Sequence, residues 1–86
     1  MRVLWEDRAL VDLEAIAERA PRSAAHLYEA VRWLSGLRFL GPFRRLATDR
    51  PEHVLLVPPY IVIYRIDGDE LIVLALEDAR RRREEW

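Results

Sequence analysis

The chain contains no cysteine, which excludes disulfide staples, thiolate nucleophiles and zinc sites built on cysteine. It contains no lysine either: all 14 cationic residues are arginine, set against 15 carboxylates, for a formal net charge of −1. A surface so balanced does not coat nucleic acid through bulk charge. Its three glycines, Gly36, Gly41 and Gly68, are too scattered to form the closely spaced loop that cradles a phosphate. Ser23, Ser35 and Thr48 are the hydroxyl nucleophile candidates, and none lies in an elbow motif or beside a His-acid pairing visible in the sequence, so a serine hydrolase is not expected. His26 and His53 fall on different predicted elements without ligand spacing; neither a metal nor a cofactor is expected. The longest apolar stretch, Val54 to Tyr64, is interrupted by Pro58 and Pro59 and falls well short of the ~20 residues of a spanning helix. At the N-terminus, Glu6-Asp7 cuts off any apolar run before a signal-peptide core develops, and the expected location is the cytoplasm.

What remains is 86 residues that are 51% hydrophobic, the composition of one packed domain over residues 1–86. Val3 to Trp5 reads as a short strand, and Glu6-Asp7 places acidic, capping-competent side chains at the start of a helix. From Arg8 to Arg19, Leu10, Leu13, Ile16, Ala17 and Ala20 recur at helical spacing, with Asp12, Glu14, Glu18 and Arg19 mostly on the other side. Pro21 opens a second helix, with Ser23 as its local cap; Ala24, Leu27, Tyr28, Val31 and Leu34 form its apolar stripe, and Gly36 stands where a left-handed C-cap is expected. So short a connection makes the two helices an antiparallel pair. Leu37 to Pro51 reads as an irregular, locally basic connection.

The period then changes from helical to alternating. His53–Val57, Tyr60–Ile66 and Leu71–Leu76 are rich in β-branched and aromatic residues and read as strands, and Asp67-Gly68-Asp69 is a hairpin signal. The fold class is α+β, in the order β-α-α-β-β-β, with a helical hairpin packed on a small, mostly antiparallel sheet. In the Tyr60–Ile66 strand, Tyr60, Val62, Tyr64 and Ile66 form one apolar face, while Ile61 and Ile63 form a second that lacks cover. Such a face on a small domain marks a protein partner and, for the lone chain, self-association into a homodimer.

Charge is concentrated in Arg80, Arg81, Arg82 and Arg83, which suit bidentate contact with phosphate or carboxylate. The alternative is a solvated tail in which Glu84 and Glu85 answer these arginines. The terminal Trp86 favours a docked tail, because a large ring is seldom left without packing. Arg65 interrupts an apolar strand, and a pairing with Asp12, which interrupts the first helix, would account for both.

In order and spacing, Glu6-Asp7-Arg8-Ala9-Leu10-Val11-Asp12-Leu13, Pro21-Arg22-Ser23-Ala24-Ala25 and Val57-Pro58-Pro59-Tyr60-Ile61-Val62-Ile63-Tyr64-Arg65-Ile66-Asp67-Gly68-Asp69 resemble the RelE/ParE superfamily of type II toxin-antitoxin toxins. The resemblance spans nearly the whole chain. It implies a small α+β toxin neutralised by a cognate antitoxin, here at Leu10, Leu13, Ile61 and Ile63. The ribosome-dependent branch, a metal-free endoribonuclease cleaving mRNA, uses strand lysines and an arginine directly after the equivalent of Tyr60. At those positions this chain has Glu52, Val54 and Ile61, which leaves Arg65, Arg81 and Tyr60 as the catalytic candidates of that reading. The ParE-like branch inhibits DNA gyrase by binding and needs no catalytic residue. After its last strand it often reads Leu-His-Gly-Ala-Arg-Asp, where this chain has Leu76-Glu77-Asp78-Ala79-Arg80-Arg81. The ParE-like branch is the better match, with Arg80 to Arg83 and Trp86 as target contacts. The nuclease and a non-toxic antitoxin-binding module remain the alternatives.

Overall fold

A computed structural model describes residues 1–37, 44–45 and 52–81. The element order is β1 (Arg2–Trp5), α1 (Asp7–Arg19), α2 (Pro21–Ser35), β2 (Arg44–Arg45), β3 (His53–Val57), β4 (Tyr60–Asp67) and β5 (Glu70–Asp78). The strands form one five-stranded sheet in the order β1-β5-β4-β3-β2. β1 runs parallel to β5, and the other three pairings are antiparallel. The expected α+β architecture is thus present, with one more strand than its sequence shows. Arg44 and Arg45, inside the stretch read as irregular, pair with Val54 and His53. Strand pairing there rests on the open edge of β3, which accepts any extended backbone, so no side-chain alternation announces it.

The helices begin and end by backbone means rather than by the expected side-chain caps. Glu6 is the N-cap of α1 in an extended conformation but makes no side-chain capping bond, while Asp7 in the first turn and Arg19 in the last complement the helix dipole. Ala20 ends α1 and caps α2, its N–H donating to the Ile16 carbonyl at 2.7 Å, and Pro21 occupies the first turn of α2. Ser23 is therefore inside the helix and not its cap. Gly36 is right-handed, with φ −83° and ψ −9°, not the expected left-handed cap. The positive φ belongs to Gly68 at +60°, in the two-residue turn that closes β4 onto β5.

Strand alternation then divides the side chains between two clusters. Ala9 and Ile16 of α1 and Ala24, Leu27, Val31 and Leu34 of α2 bury themselves on the sheet face formed by Leu55, Val57, Tyr60, Val62, Tyr64, Leu71, Val73 and Leu76. The stripe of α1 is narrower than its periodicity suggests: Leu13 packs at its margin, Leu10 and Ala17 are exposed, and Tyr28 of α2 lies outside the core, stacked on Trp5 at 6.2 Å. On the opposite face, Ile61, Ile63 and Ala75 cluster with Val54, Leu74 and Ala79 packed against them. Ile61 and Ile63 are only 6% and 7% exposed, so the centre of the face expected to lie open is buried; Leu56, 61% exposed, stands at its margin.

Two consequences follow for ionisable groups. Arg65 sits between Tyr64 and Ile66, both of which face the helices, so alternation turns it to the far face and away from Asp12. Asp12 instead accepts the Leu76 N–H at 3.0 Å and stands 3.8 Å from Arg8. Tyr64 is fully buried beside the His53 ring, at 5.4 Å, and burial pushes its phenol up to about 12. Because an exposed phenol ionises near ~10, the unfolded chain loses this proton first as pH rises. Stability should therefore fall from about pH 10 upward. Denaturant midpoints measured between pH 8 and 11.5 should show that decline, and Tyr64→Phe should flatten it; an equally steep decline in the variant would assign the slope to other groups.

Candidate functional site

Helical geometry places Arg8, Asp12, Ala15 and Arg19 on one stripe of α1, since steps of four, seven and eleven residues return to nearly the same face. That stripe flanks the buried one and forms one wall of a groove of about 330 Å³. The opposite wall comes from the C-terminal half of β5, with Leu76, Glu77 and Asp78, and from Tyr60 at the start of β4; Arg81 closes it. β1 ends at Trp5, opposite Val73, so the edge of β5 beyond that point faces α1 rather than another strand. The Asp12 carboxylate, accepting from Leu76, ties the two walls together.

The charges in the groove are unequally committed. Asp78 accepts the Arg80 backbone N–H at 2.9 Å and the Arg80 guanidinium at 3.0 and 2.8 Å, an Asx-type turn closed by a bidentate ion pair. These bonds hold the Asp78 carboxyl down at about 2 and push the Arg80 guanidinium up. Ala79 donates to the Pro59 carbonyl at 2.8 Å, so the short helical turn over residues 79–81 is anchored at its start by this bond and the Asp78–Arg80 pair, and it carries Arg81 to the groove. Arg8 reaches Asp12 and Glu77 only at 3.8 and 4.0 Å, and its side chain is 69% exposed. Pairs of that kind contribute ~0–1 kcal/mol. Among the described residues, neither Arg19 nor Arg81 has an ion-pair partner.

The expected site residues are only partly brought together. Tyr60 and Arg81 share the groove, whereas Arg65 lies five residues along β4 on the far face, so the three nuclease candidates do not converge. Arg80 is held by Asp78, and Arg82, Arg83 and Trp86 lie outside the described residues. Leu10 is 43% exposed on α1 and Leu13 half-buried beneath it, while Ile61 and Ile63 belong to the opposite side of the sheet. Sequence reasoning missed Arg8 and Arg19, and missed Glu77 as part of the groove. The Arg8, Asp12, Arg19 spacing is the signal that could have found them, since it places all three on the flank of the α1 core stripe. Among the described residues no group of three or more His, Cys, Asp or Glu is placed to hold a metal ion, and no helix is long and apolar enough to cross a membrane.

Comparisons with known proteins place this geometry. The chain resembles the chromosomal ParDE toxin-antitoxin system of P. aeruginosa, with 22% identity and a TM-score of 0.75 over 91% of this chain and 95% of that one. It is similar to the toxin-antitoxin complex RelBE2 of Mycobacterium tuberculosis, at 23% identity and a TM-score of 0.75, covering 90% of this chain and 88% of that one. The YoeB/ParE toxin of Agrobacterium tumefaciens superposes with a TM-score of 0.72 at 18% identity, over 91% and 98% of the two chains. These likenesses establish the fold; no curated protein matches the chain. The model of the ParE toxin of the type II toxin-antitoxin system parDE matches residues 3–83, nearly the whole sequence, and the chain belongs to that family of toxins.

Proposed function

We propose that this toxin acts in the cytoplasm as a ParE-like inhibitor of DNA gyrase, working by binding rather than by bond cleavage, and that a cognate antitoxin neutralises it. One observation carries the preference over a nuclease. Val54 and Ile61 stand where the RNA-cleaving branch carries cations, and they pack with Ile63 and Ala75 in an apolar cluster. Phosphoryl transfer needs positive charge at the developing oxyanion and a proton donor for the leaving group, and this cluster supplies neither. The target contacts of this reading are Arg80 to Arg83 and Trp86. Of these, Arg80 serves the turn through Asp78, which leaves Arg81 as the described cation turned toward a partner.

The antitoxin partner is supported by the complexes among the structural relatives. Leu10 and Leu13 on α1 offer it an apolar helix face, continued by Val11 at 63% exposure. Ile61 and Ile63 are buried on the other side of the sheet, so a partner that wraps that far, as a helix followed by an added strand would do, meets the exposed margin at Leu56 rather than these two side chains.

Plasmid supercoiling by purified gyrase, titrated with the toxin, tests the reading. Inhibition with trapped DNA breaks is expected, and replacing Arg80 to Arg83 with Ala should relieve it while antitoxin binding persists. No effect at large excess sinks the gyrase assignment. Discrete mRNA cleavage on induction would then select the nuclease, and harmless overexpression with a tight antitoxin complex the non-toxic module.

A further inference from the structure

The groove between α1 and β5 contains charge that no pairing within the described chain consumes. We propose that it is a binding site for an extended acidic peptide segment, whose carboxylates are gripped by Arg19 and Arg81, with Arg8 at the far end. This inference does not depend on which target the toxin inhibits.

Three features lead to that ligand. The first is donor availability. Arg80 is consumed by Asp78, but Arg19 and Arg81 line the groove without an ion pair among the described residues, and Arg8 is held only loosely. A guanidinium fork offers two parallel N–H donors to one carboxylate, so these arginines present ready bidentate positions. The second is length. Arg8 and Arg19 lie eleven residues apart on one face of α1, about 16 Å along its axis at ~1.5 Å per residue. An extended peptide covers that span with about five residues. The third is the lining between the charges, where Ala15, Ile16 and Leu76 are apolar and can receive the methylenes of acidic side chains.

The same lining decides between classes of polyanion. Asp12 and Glu77 sit among the arginines, so a continuous run of phosphates would be laid against carboxylates. The formal net charge of −1 supplies no long-range field to offset that repulsion. A peptide places its carboxylates discretely and can align a neutral or cationic residue with Asp12 and Glu77. Charge complementarity therefore favours a peptide over nucleic acid.

The test is fluorescence anisotropy of a fluorescein-labelled decapeptide of alternating glutamate and alanine titrated with the full chain, with the same peptide carrying glutamine for glutamate as the uncharged control. The acidic peptide should bind and its glutamine counterpart should not. In an Arg19→Gln/Arg81→Gln double variant the affinity should fall at least ~10-fold, the scale of one lost charge-assisted hydrogen bond. Both arginines are exposed and make no ion pair among the described residues, so the fold should tolerate their loss, and Arg22→Gln, an exposed change at the start of α2, should leave binding unchanged. Undiminished binding in the double variant, or no binding by the wild-type chain, overturns the proposal. Tighter binding of a ten-residue oligothymidylate would assign the groove to a phosphate polymer, and displacement of the peptide by millimolar inorganic phosphate would reduce it to a small-anion site; either result also overturns it.

Discussion

Leu27→Ala should lower stability by about 2–5 kcal/mol, the range of truncations that leave a cavity at a fully buried leucine. Leu27 has no exposed surface and lies in the cluster that joins α2 to Val62, Leu71 and Val73 of the sheet. Val31 and Leu34 on the same helix are themselves buried in that cluster and are not poised to fill the space. A domain of this length has on the order of 4–13 kcal/mol in all, so one residue would remove a large share. At ~4–8 °C per kcal/mol, the thermal midpoint should drop by at least about 8 °C. Leu10→Ala provides the internal control: Leu10 is 43% exposed, and its truncation should stay within about 0.5 kcal/mol. Thermal and urea unfolding of both variants makes the comparison. Equal losses would mean that the hairpin does not seat on the sheet through the Leu27 face.

The contrast between these two leucines also shows what the sequence could reveal. Helical spacing identified both as apolar stripe residues, and it identified the strands by their switch to alternation and their hairpin by Asp67-Gly68-Asp69. Those signals depend on local periodicity and turn chemistry, which a chain carries wherever it goes. Exposure depends on which neighbour arrives, and spacing alone did not show that Ala9 rather than Leu10 would face β5. The same limit hid β2, because Arg44 and Arg45 become a strand only by pairing with Val54 and His53. It also misdirected Arg65. The acid at Asp12 suggested a cation opposite, but alternation along β4 had already sent Arg65 to the far side, and the group that needed Asp12 was a backbone N–H with no sequence signature at all. The groove was legible only in halves: its terminal arginines stood out as a run, whereas Arg8 and Arg19 look like ordinary solvated residues until β5 lies beside them.

Asp12→Ala should be the costliest substitution among the polar residues of the groove. β1 accompanies β5 only as far as Val73, whose carbonyl accepts the Glu6 N–H at 3.0 Å as the chain turns into α1. Past that point β5 has an edge with no strand beside it among the described residues, and the Asp12 carboxylate, one turn into the helix, accepts the Leu76 N–H in place of one. Alanine leaves that partly buried donor unmet. Hydrogen bonds to charged groups contribute ~1.5–3 kcal/mol, against ~0–1 for the loose, exposed contact with Arg8, so the backbone bond dominates the loss. Asn keeps an oxygen in the same place without the charge, and Asp12→Asn should therefore recover more than half of the stability lost in Asp12→Ala. Urea unfolding gives the two costs, and amide exchange at Leu76 locates them: exchange should accelerate in the Ala variant and remain protected in the Asn variant. If Asn proves as damaging as Ala while Leu76 stays protected in both, the charge facing Arg8 matters more than the acceptor. Loss of protection in the Ala variant alone would show that one carboxylate substitutes for a missing strand. Because the same bond holds α1 beside β5, it also fixes the spacing between Arg19 on one wall of the groove and Arg81 on the other.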